Sequence, residues 1–256
     1  LKCHVYSSGG HGTLTVEQAV MNSCNPYMIH LALELGNAKF SEYQSLFGFG
    51  QTTGIDLPGE TTGIVYGDKM TTIDAACNSF GQTINVNMMQ MMASYCSIIN
   101  GGMLYQPHVV KRIESANGEV VKENKATLIR QTVTMSTSKL LRRYLKNTVE
   151  SGTAKKVAVT GYSVAGKTGT AQKSPRSENK WLISFIGHAP ADNPKFAIYV
   201  IIDEPDGTTG TSGNSADVLQ LSHDILEKLL PYMSVYKDAL DEPVDTSNSE
   251  DELTVG

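Results

Sequence analysis

Residues 161–172 read GYSVAGKTGTAQ, and two incompatible folds follow from two ways of reading them. The first eight, GYSVAGKT, match the phosphate-loop pattern G-x-x-x-x-G-K-[ST], and Asp203-Glu204 ends an apolar run 36 residues after Lys167, as the acidic strand of an ATPase would. A phosphate loop must be flexible, and it must open a helix whose N-terminal N–H groups face the anion. Here Tyr162, Ser163, Val164 and Ala165 are strand-like rather than loop-like, and Gly-Thr-Ala-Gln-Lys-Ser-Pro after Thr168 cannot supply a helix. Residues 162–172 are therefore expected to form a β-strand. Gly48, Gly50 and Gly54 fail the dinucleotide fingerprint too, because the third glycine comes one residue late and no strand precedes it.

The segments that follow decide the fold class. Residues 181–187 alternate around Trp181, Ile183 and Phe185, and 196–203 is strongly apolar and β-branched. Only about eight residues join each successive pair, whereas parallel neighbours need a crossover of a dozen or more, so the three strands should be antiparallel. A helix at about 215–232, carrying Ala216, Leu219, Ile225, Leu226 and Leu229, should cover the sheet.

Working back towards the N-terminus, a helix is expected at about 136–150 with Leu140, Leu141, Tyr144 and Leu145 on one side and Gly152 as its stop. Short strands should flank the turn Ala116-Asn117-Gly118 within 103–133. The helix at 84–100 carries Met88, Met89, Met91 and Met92, a stripe that reads as core packing. Residues 15–36 read as two helices. Thr15 and Gln18 form a capping-box pattern for the first, Asn25 is a possible cap before Pro26 for the second, and Gly36 is its stop. A shorter amphipathic stretch covers about 40–47. Helices followed by a meander and a covering helix indicate an α+β fold.

The chain has 256 residues, 40% hydrophobic and 18% charged, enough to bury a substantial core. No run of eighteen apolar residues exists, so nothing in these residues reads as a membrane-spanning helix. The net charge is −5, but residues 241–256 hold six acids and no base, which leaves the body close to neutral. A neutral body without a basic block argues against nucleic acid as a partner, and 241–256 reads as a disordered tail or linker. The cysteines at 3, 24, 77 and 96 form no C-x-x-C pair. Cys3, His4 and His11 are the nearest cluster to a metal set, and free thiols with no metal are expected.

Read as a strand, Lys167-Thr168-Gly169-Thr170 lays a cation, two hydroxyls and a bare backbone along one edge. A peptide could add there as a further strand, its terminal carboxylate held by Lys167 and the threonines. K-T-G alone is a weak motif, but Ser23-Cys24-Asn25 supplies the S-x-N that accompanies it in penicillin-binding proteins and class A β-lactamases. The segments GHGTLTVEQAVMNSCNPYMIHLALELG, FGFGQTTGIDLPGE, SFGQTINVNMMQ, NGGMLYQPHVV and VAGKTGTAQ, in that order, resemble successive blocks of the transpeptidase domain of class B penicillin-binding proteins. The similarity is closest to Gram-positive division or sporulation members.

The resemblance implies a penicillin-binding-protein/β-lactamase-like fold, with part of a transpeptidase domain over 1–240. Its mostly helical portion would span about 11–100 and its sheet and covering helices about 103–235. It implies a D,D-transpeptidase that attacks the D-Ala-D-Ala bond of a peptidoglycan stem peptide, passes the acyl group to an amine, and is trapped by β-lactams. No cofactor is implied. Ser23 would relay protons, Asn25 would hydrogen-bond the donor amide, and Lys167 would add positive field. Thr168 and Thr170 would grip the carboxylate beside Gly169, and the Thr170 N–H would form half of an oxyanion hole. Asn25 as a simple helix cap and Ser23 as a helix-end hydroxyl are the plainer alternatives, and His11 reads as loop architecture.

The family's nucleophile lies in a Ser-x-x-Lys before S-x-N, and residues 1–22 contain none. Ser136–Lys139, Ser177–Lys180 and Ser234–Lys237 match the pattern but follow Ser23 and read as chance. No nucleophile is therefore expected in this chain, which should be inactive alone. A β-lactamase, a β-lactam sensor and a non-catalytic scaffold of a wall-building complex share the same signature. By resemblance, the location is the outer face of the bacterial membrane, held by an N-terminal anchor outside this sequence, alongside other wall-synthesis proteins.

Overall fold

The structure is a computed structural model that describes residues 3–205 and 215–239, so the acidic stretch 241–256 lies outside the described residues. Helix α1 (Val16–Met21) opens on the expected capping box, with the Thr15 hydroxyl accepting from the Gln18 N–H at 3.2 Å and the Gln18 carboxamide from the Thr15 N–H at 2.9 Å. Helix α2 (Asn25–Leu35) differs from expectation at its start. Asn25 is its first residue, and the cap is Cys24, whose side chain makes no capping bond. The Asn25 carboxamide is thus not consumed by the helix. Gly36, at φ +79°, separates α2 from α3 (Asn37–Leu46).

Helix α4 (Thr72–Asn78) is one that the pattern reading missed. Its signal is a second capping box, Thr71 with Asp74, on a helix too short to show apolar periodicity. Helix α5 (Met88–Ile99) starts on a third, Asn87 with Gln90, but the methionine stripe is not its inner face. Met88 is exposed and Met89, Met91 and Met92 are half-buried, while Gln90, Ser94, Tyr95, Ser97 and Ile99 are buried. The physical reason is the glycine-rich loop beneath: Gln90 Nε2 donates to the carbonyls of Gln51 (2.6 Å) and Thr62 (2.9 Å), which holds the Gln90 side chain inward.

Strand β1 (Met103–Gln106) leaves α5 through Gly101 and Gly102, both at φ +99°. Strands β2 (Arg112–Glu114) and β3 (Val120–Glu123) form the expected hairpin around Asn117-Gly118, and β4 (Thr127–Gln131) pairs back antiparallel with β1. Helix α6 (Met135–Glu150) buries Ser138, Leu145, Thr148 and Val149, whereas Leu140 is exposed. Polar residues replace the expected leucine because α6 crosses backbone that lacks partners. The Gly101 N–H donates to Ser138 Oγ at 3.0 Å, and Thr148 Oγ1 donates to the Gly166 carbonyl.

Strands β5 (Ala165–Gln172), β6 (Trp181–Ala189) and β7 (Phe196–Asp203) make an antiparallel sheet in that order. Residues 162–164 precede β5 rather than belonging to it, because a Val159–Tyr162 bridge and the Ser163 bonds to Ala191 and Asp238 hold them apart. Helix α7 (Ala216–Tyr232) covers one face, packing Val218, Leu219, Leu226 and Leu230 on Ile183 and Phe185. Full burial of each large side chain there contributes about 1.5–3 kcal/mol. The other face meets α5 and α6 through Tyr95, Ile99, Leu145 and Ala165. The α+β class and the antiparallel register stand as expected, and GKT lies inside a strand, which removes the nucleotide-loop reading. Among the described residues no helix is long and apolar enough to cross a membrane.

Candidate active site

Ser23 sits in the tight turn between α1 and α2 at φ +50°, a backbone conformation that costs a non-glycine residue free energy. That turn brings its hydroxyl to a bridge with the distant strand β5. Lys167 Nζ donates to Ser23 Oγ at 3.0 Å across 144 positions, and also to the Thr168 carbonyl (3.0 Å) and Thr168 Oγ1 (3.3 Å). The two short motifs, S-x-N and K-T-G, therefore meet at one ammonium. Burial pulls the Lys167 ammonium down to about 8, because low-dielectric surroundings disfavour its charge.

The backbone of β5 explains why this edge is available. In a strand, the N–H and C=O of one residue point to the same side, and residues two apart share that side. The Gly166 carbonyl is taken by Thr148 and the Thr168 carbonyl by Lys167, so residues 166, 168 and 170 direct their backbone groups away from β6. By this alternation the Thr170 N–H faces the open edge. Thr168 Oγ1 lies 3.3 Å from Thr153 Oγ1, and Thr170 Oγ1 lies 3.1 Å from Ser215 Oγ. Gly169 has a second reason to be glycine: a Cβ there would stand 2.5 Å from Ser184 Oγ on β6.

The remaining residues fall as follows. Asn25 lies two positions from Ser23 on the first turn of α2, half-buried, and its carboxamide makes no hydrogen bond among the described residues. His4 is pushed below its ordinary value by burial first, then by the charges of His11 and Lys167. Sequence reasoning missed Thr148, Thr153 and Ser215, which hold or flank β5 from other elements. No local spacing announces such contacts. A groove of about 720 Å³ runs on from the Thr168–Thr170 edge, lined by Thr153, Lys155, Lys156, Ser215 and Leu219 among others. Its two lysines suit a negatively charged group.

The three Ser-x-x-Lys matches lie elsewhere. Ser136 is exposed in the first turn of α6 against Thr134, Ser177 is exposed in the β5–β6 connection, and Ser234 is exposed past the end of α7. None hydrogen-bonds to Ser23 or Lys167 among the described residues.

Residues 2–227 match the family described as the penicillin binding protein transpeptidase domain. Stage V sporulation protein D of Bacillus subtilis is 39% identical over 92% of this chain and 36% of its own length. The peptidoglycan D,D-transpeptidase MrdA of Acinetobacter baumannii is 30% identical over 81% of this chain and 33% of its own. The chain thus spans about a third of the length of these curated relatives. Among solved structures, penicillin-binding protein 3 of Mycobacterium tuberculosis in complex with ampicillin superposes with a TM-score of 0.80 at 29% identity, covering 91% of this chain and 55% of that one.

Proposed function

Because the chain belongs to the penicillin-binding-protein transpeptidase family, we propose that residues 1–240 form the substrate-binding wall of a peptidoglycan D,D-transpeptidase domain. The observation that carries this reading is the Lys167–Ser23 hydrogen bond, which joins the S-x-N and K-T-G motifs beside an open strand edge. A D-Ala-D-Ala donor would lie along the outer edge of β5 as an added strand. Its carboxylate would be held by Thr168 and Thr170 in the field of Lys167, at about 1.5–3 kcal/mol for a charge-assisted bond. The Asn25 carboxamide, not used as a helix cap, would bond the donor amide.

In such an acyl transfer a serine attacks the scissile carbonyl, the oxyanion gathers on backbone N–H groups that include Thr170, and the terminal D-Ala leaves as an amine. An acceptor amine then takes the acyl group. Ser23, hydrogen-bonded to a lysine whose ammonium is lowered to about 8, would pass the proton to the leaving amine and receive it from the attacking one. β-Lactams would enter by the same edge and remain as acyl-enzymes. Lys155 and Lys156 in the adjoining groove favour an acidic stem-peptide group there. On this reading the role belongs on the outer face of the cytoplasmic membrane, among wall-synthesis proteins.

None of the Ser-x-x-Lys serines hydrogen-bonds to Ser23 or Lys167 among the described residues, so the 256-residue chain alone is proposed to be inert towards penicillins. The test is incubation with a fluorescent penicillin followed by intact-mass measurement. No adduct is expected, and a stable penicilloyl adduct on the chain would overturn the assignment of a missing nucleophile. In a longer protein carrying both this chain and the family's Ser-x-x-Lys, Lys167→Ala should slow acylation at least 100-fold, within the range for removing one transition-state donor of ~10²–10³. Unchanged acylation would sink the strand-edge reading.

A further inference from the structure

The Lys167 ammonium has three N–H groups and three acceptors around it: Ser23 Oγ at 3.0 Å, the Thr168 carbonyl at 3.0 Å and Thr168 Oγ1 at 3.3 Å. None of its N–H groups is left over for a ligand, so Lys167 supplies field at the outer edge of β5 and the side-chain hydrogen bonds must come from Thr168 and Thr170. A hydroxyl has one proton and two lone pairs, and it rotates to suit whichever neighbour is present. Something has to turn those two protons outward.

Each threonine has one neighbour placed to do so. Thr153 Oγ1 lies 3.3 Å from Thr168 Oγ1, and Ser215 Oγ lies 3.1 Å from Thr170 Oγ1. Ser215 caps α7 without spending its side chain on the helix, so its hydroxyl is available. Thr153 is held by its backbone, whose N–H donates at 3.1 Å to the carbonyl of Met21, two residues before Ser23. Gly152 permits that approach, because a Cβ there would stand 2.7 Å from the Met21 carbonyl oxygen and 2.8 Å from Thr148 Cα. Thr153 thus touches the S-x-N turn with its main chain and the K-T-G strand with its side chain.

We propose that Thr153 and Ser215 are positioning residues that direct the hydroxyl protons of Thr168 and Thr170 towards the carboxylate of a D-Ala-D-Ala donor; this role rests on the strand-edge reading given above. When Thr153 donates to Thr168 Oγ1, that oxygen also accepts from Lys167, so both lone pairs are taken and only its proton remains to offer. Ser215, donating to Thr170 Oγ1, biases the second hydroxyl the same way. A carboxylate carries only acceptors and meets both protons. A carboxamide of the same shape sets an NH₂ against a hydroxyl that can no longer accept, and it loses a bond. The outer pair selects the terminus of the donor by acting through the inner pair.

The test titrates the 256-residue chain with N-acetyl-D-Ala-D-Ala and, separately, with its C-terminal carboxamide, following the Thr170 N–H by NMR. Wild type should bind the acid more tightly. Thr153→Val keeps the side-chain shape at an exposed position, and it should lower the acid-to-amide affinity ratio by about 3–10-fold, as expected for one net hydrogen bond. Thr153→Ser, which keeps a hydroxyl, should restore the ratio, and Ser215→Ala should lower it. In a Thr168→Val background, Thr153→Val should change the ratio no further, because the two residues act as one unit. An unchanged ratio in Thr153→Val would overturn the role, and so would an equal loss of affinity for both peptides, which would make Thr153 a support of the fold alone. A wild-type chain that binds neither peptide, or both alike, would overturn the strand-edge reading itself and this role with it.

Discussion

Replacing Lys167 by methionine should stabilise the fold while disabling the site. Burial holds the Lys167 ammonium at about 8 against an ordinary 10.5. At ~1.36 kcal/mol per unit, that difference sets an upper limit of roughly 3.4 kcal/mol that the folded state loses by keeping the group charged at pH 7. The residue as a whole is only half-buried, so solvent screening reduces the figure to about 1–3 kcal/mol. Methionine fills a similar volume without the charge, which avoids the cavity that alanine would leave. The sign follows from proton counting. Below pH 8 the lysine is charged in both folded and unfolded chains, and the full cost is present. Between 8 and 10.5 the folded chain has lost the proton and the unfolded chain has not, so wild-type stability gains on the variant. Above 10.5 the difference is gone. Urea unfolding of wild type and Lys167→Met, each at pH 7 and near pH 10, measures this. With an m-value of ~2–3 kcal/mol/M, the methionine variant should unfold roughly 0.5–1 M later at pH 7, and the gap should close at the higher pH. A variant less stable than wild type at pH 7, or a gap unchanged by pH, would refute the view that Lys167 is retained for binding at a cost to the fold.

His188 is fully buried between Tyr95, whose hydroxyl lies 2.8 Å from Nδ1, and the Ala191 carbonyl at 3.1 Å from Nε2. A carbonyl only accepts, so Nε2 carries the proton and Nδ1 accepts from the tyrosine. Burial lowers His188 to about 4, so stability should be complete above pH 6.5 and fall by on the order of 3 kcal/mol as pH drops to 4. His188→Gln should lose that slope in acid titration monitored by circular dichroism, and a slope that persists would place the acid sensitivity elsewhere. Gly102→Ala should cost more than ~3 kcal/mol in thermal or urea unfolding, since the position has φ +99° and an added Cβ would overlap the Val133 carbonyl. Asp238 accepts from the Ser163 N–H at 2.7 Å and from the Ser163 hydroxyl. Asp238→Ala should therefore cost about 1.5–3 kcal/mol in the same assays, with hydrogen exchange rising at residues 161–163.

What the sequence made legible follows the range over which each signal acts. Capping boxes, glycine stops and short connectors act over a few residues, and they located α1, the end of α2, the β2–β3 hairpin and the antiparallel meander of β5, β6 and β7. Burial in α5 and α6 was misread because, beside their apolar contacts with the sheet, these helices also pack on loop and strand backbone. Gln90, Ser138 and Thr148 turn inward to satisfy backbone groups, while Met88 and Leu140 turn out. Hydrophobic spacing carries no record of which carbonyl across the fold lacks a donor. The same limit hid Thr153 and Ser215, which meet Thr168 and Thr170 only through the tertiary fold.

The eight residues GYSVAGKT mark where motif and mechanism part. In a phosphate loop, their successive N–H groups would converge on an anion from the mouth of a helix. Here alternation divides them between two sides. Residues 165, 167 and 169 are committed to β6, and residues 166 and 168 spend their outward carbonyls on Thr148 and Lys167. Among the described residues, the outer edge is open from Thr170 onward, near the ammonium of Lys167 and the groove of Lys155 and Lys156. A planar carboxylate at the end of an extended peptide fits one N–H, two hydroxyls and a nearby cation. A polyphosphate, needing several convergent N–H groups, does not. On the proposed reading, the selectivity of this edge is set by the two-residue repeat of a strand, and inserting one residue between Gly166 and Thr170 should abolish it by turning the Thr170 N–H into the sheet.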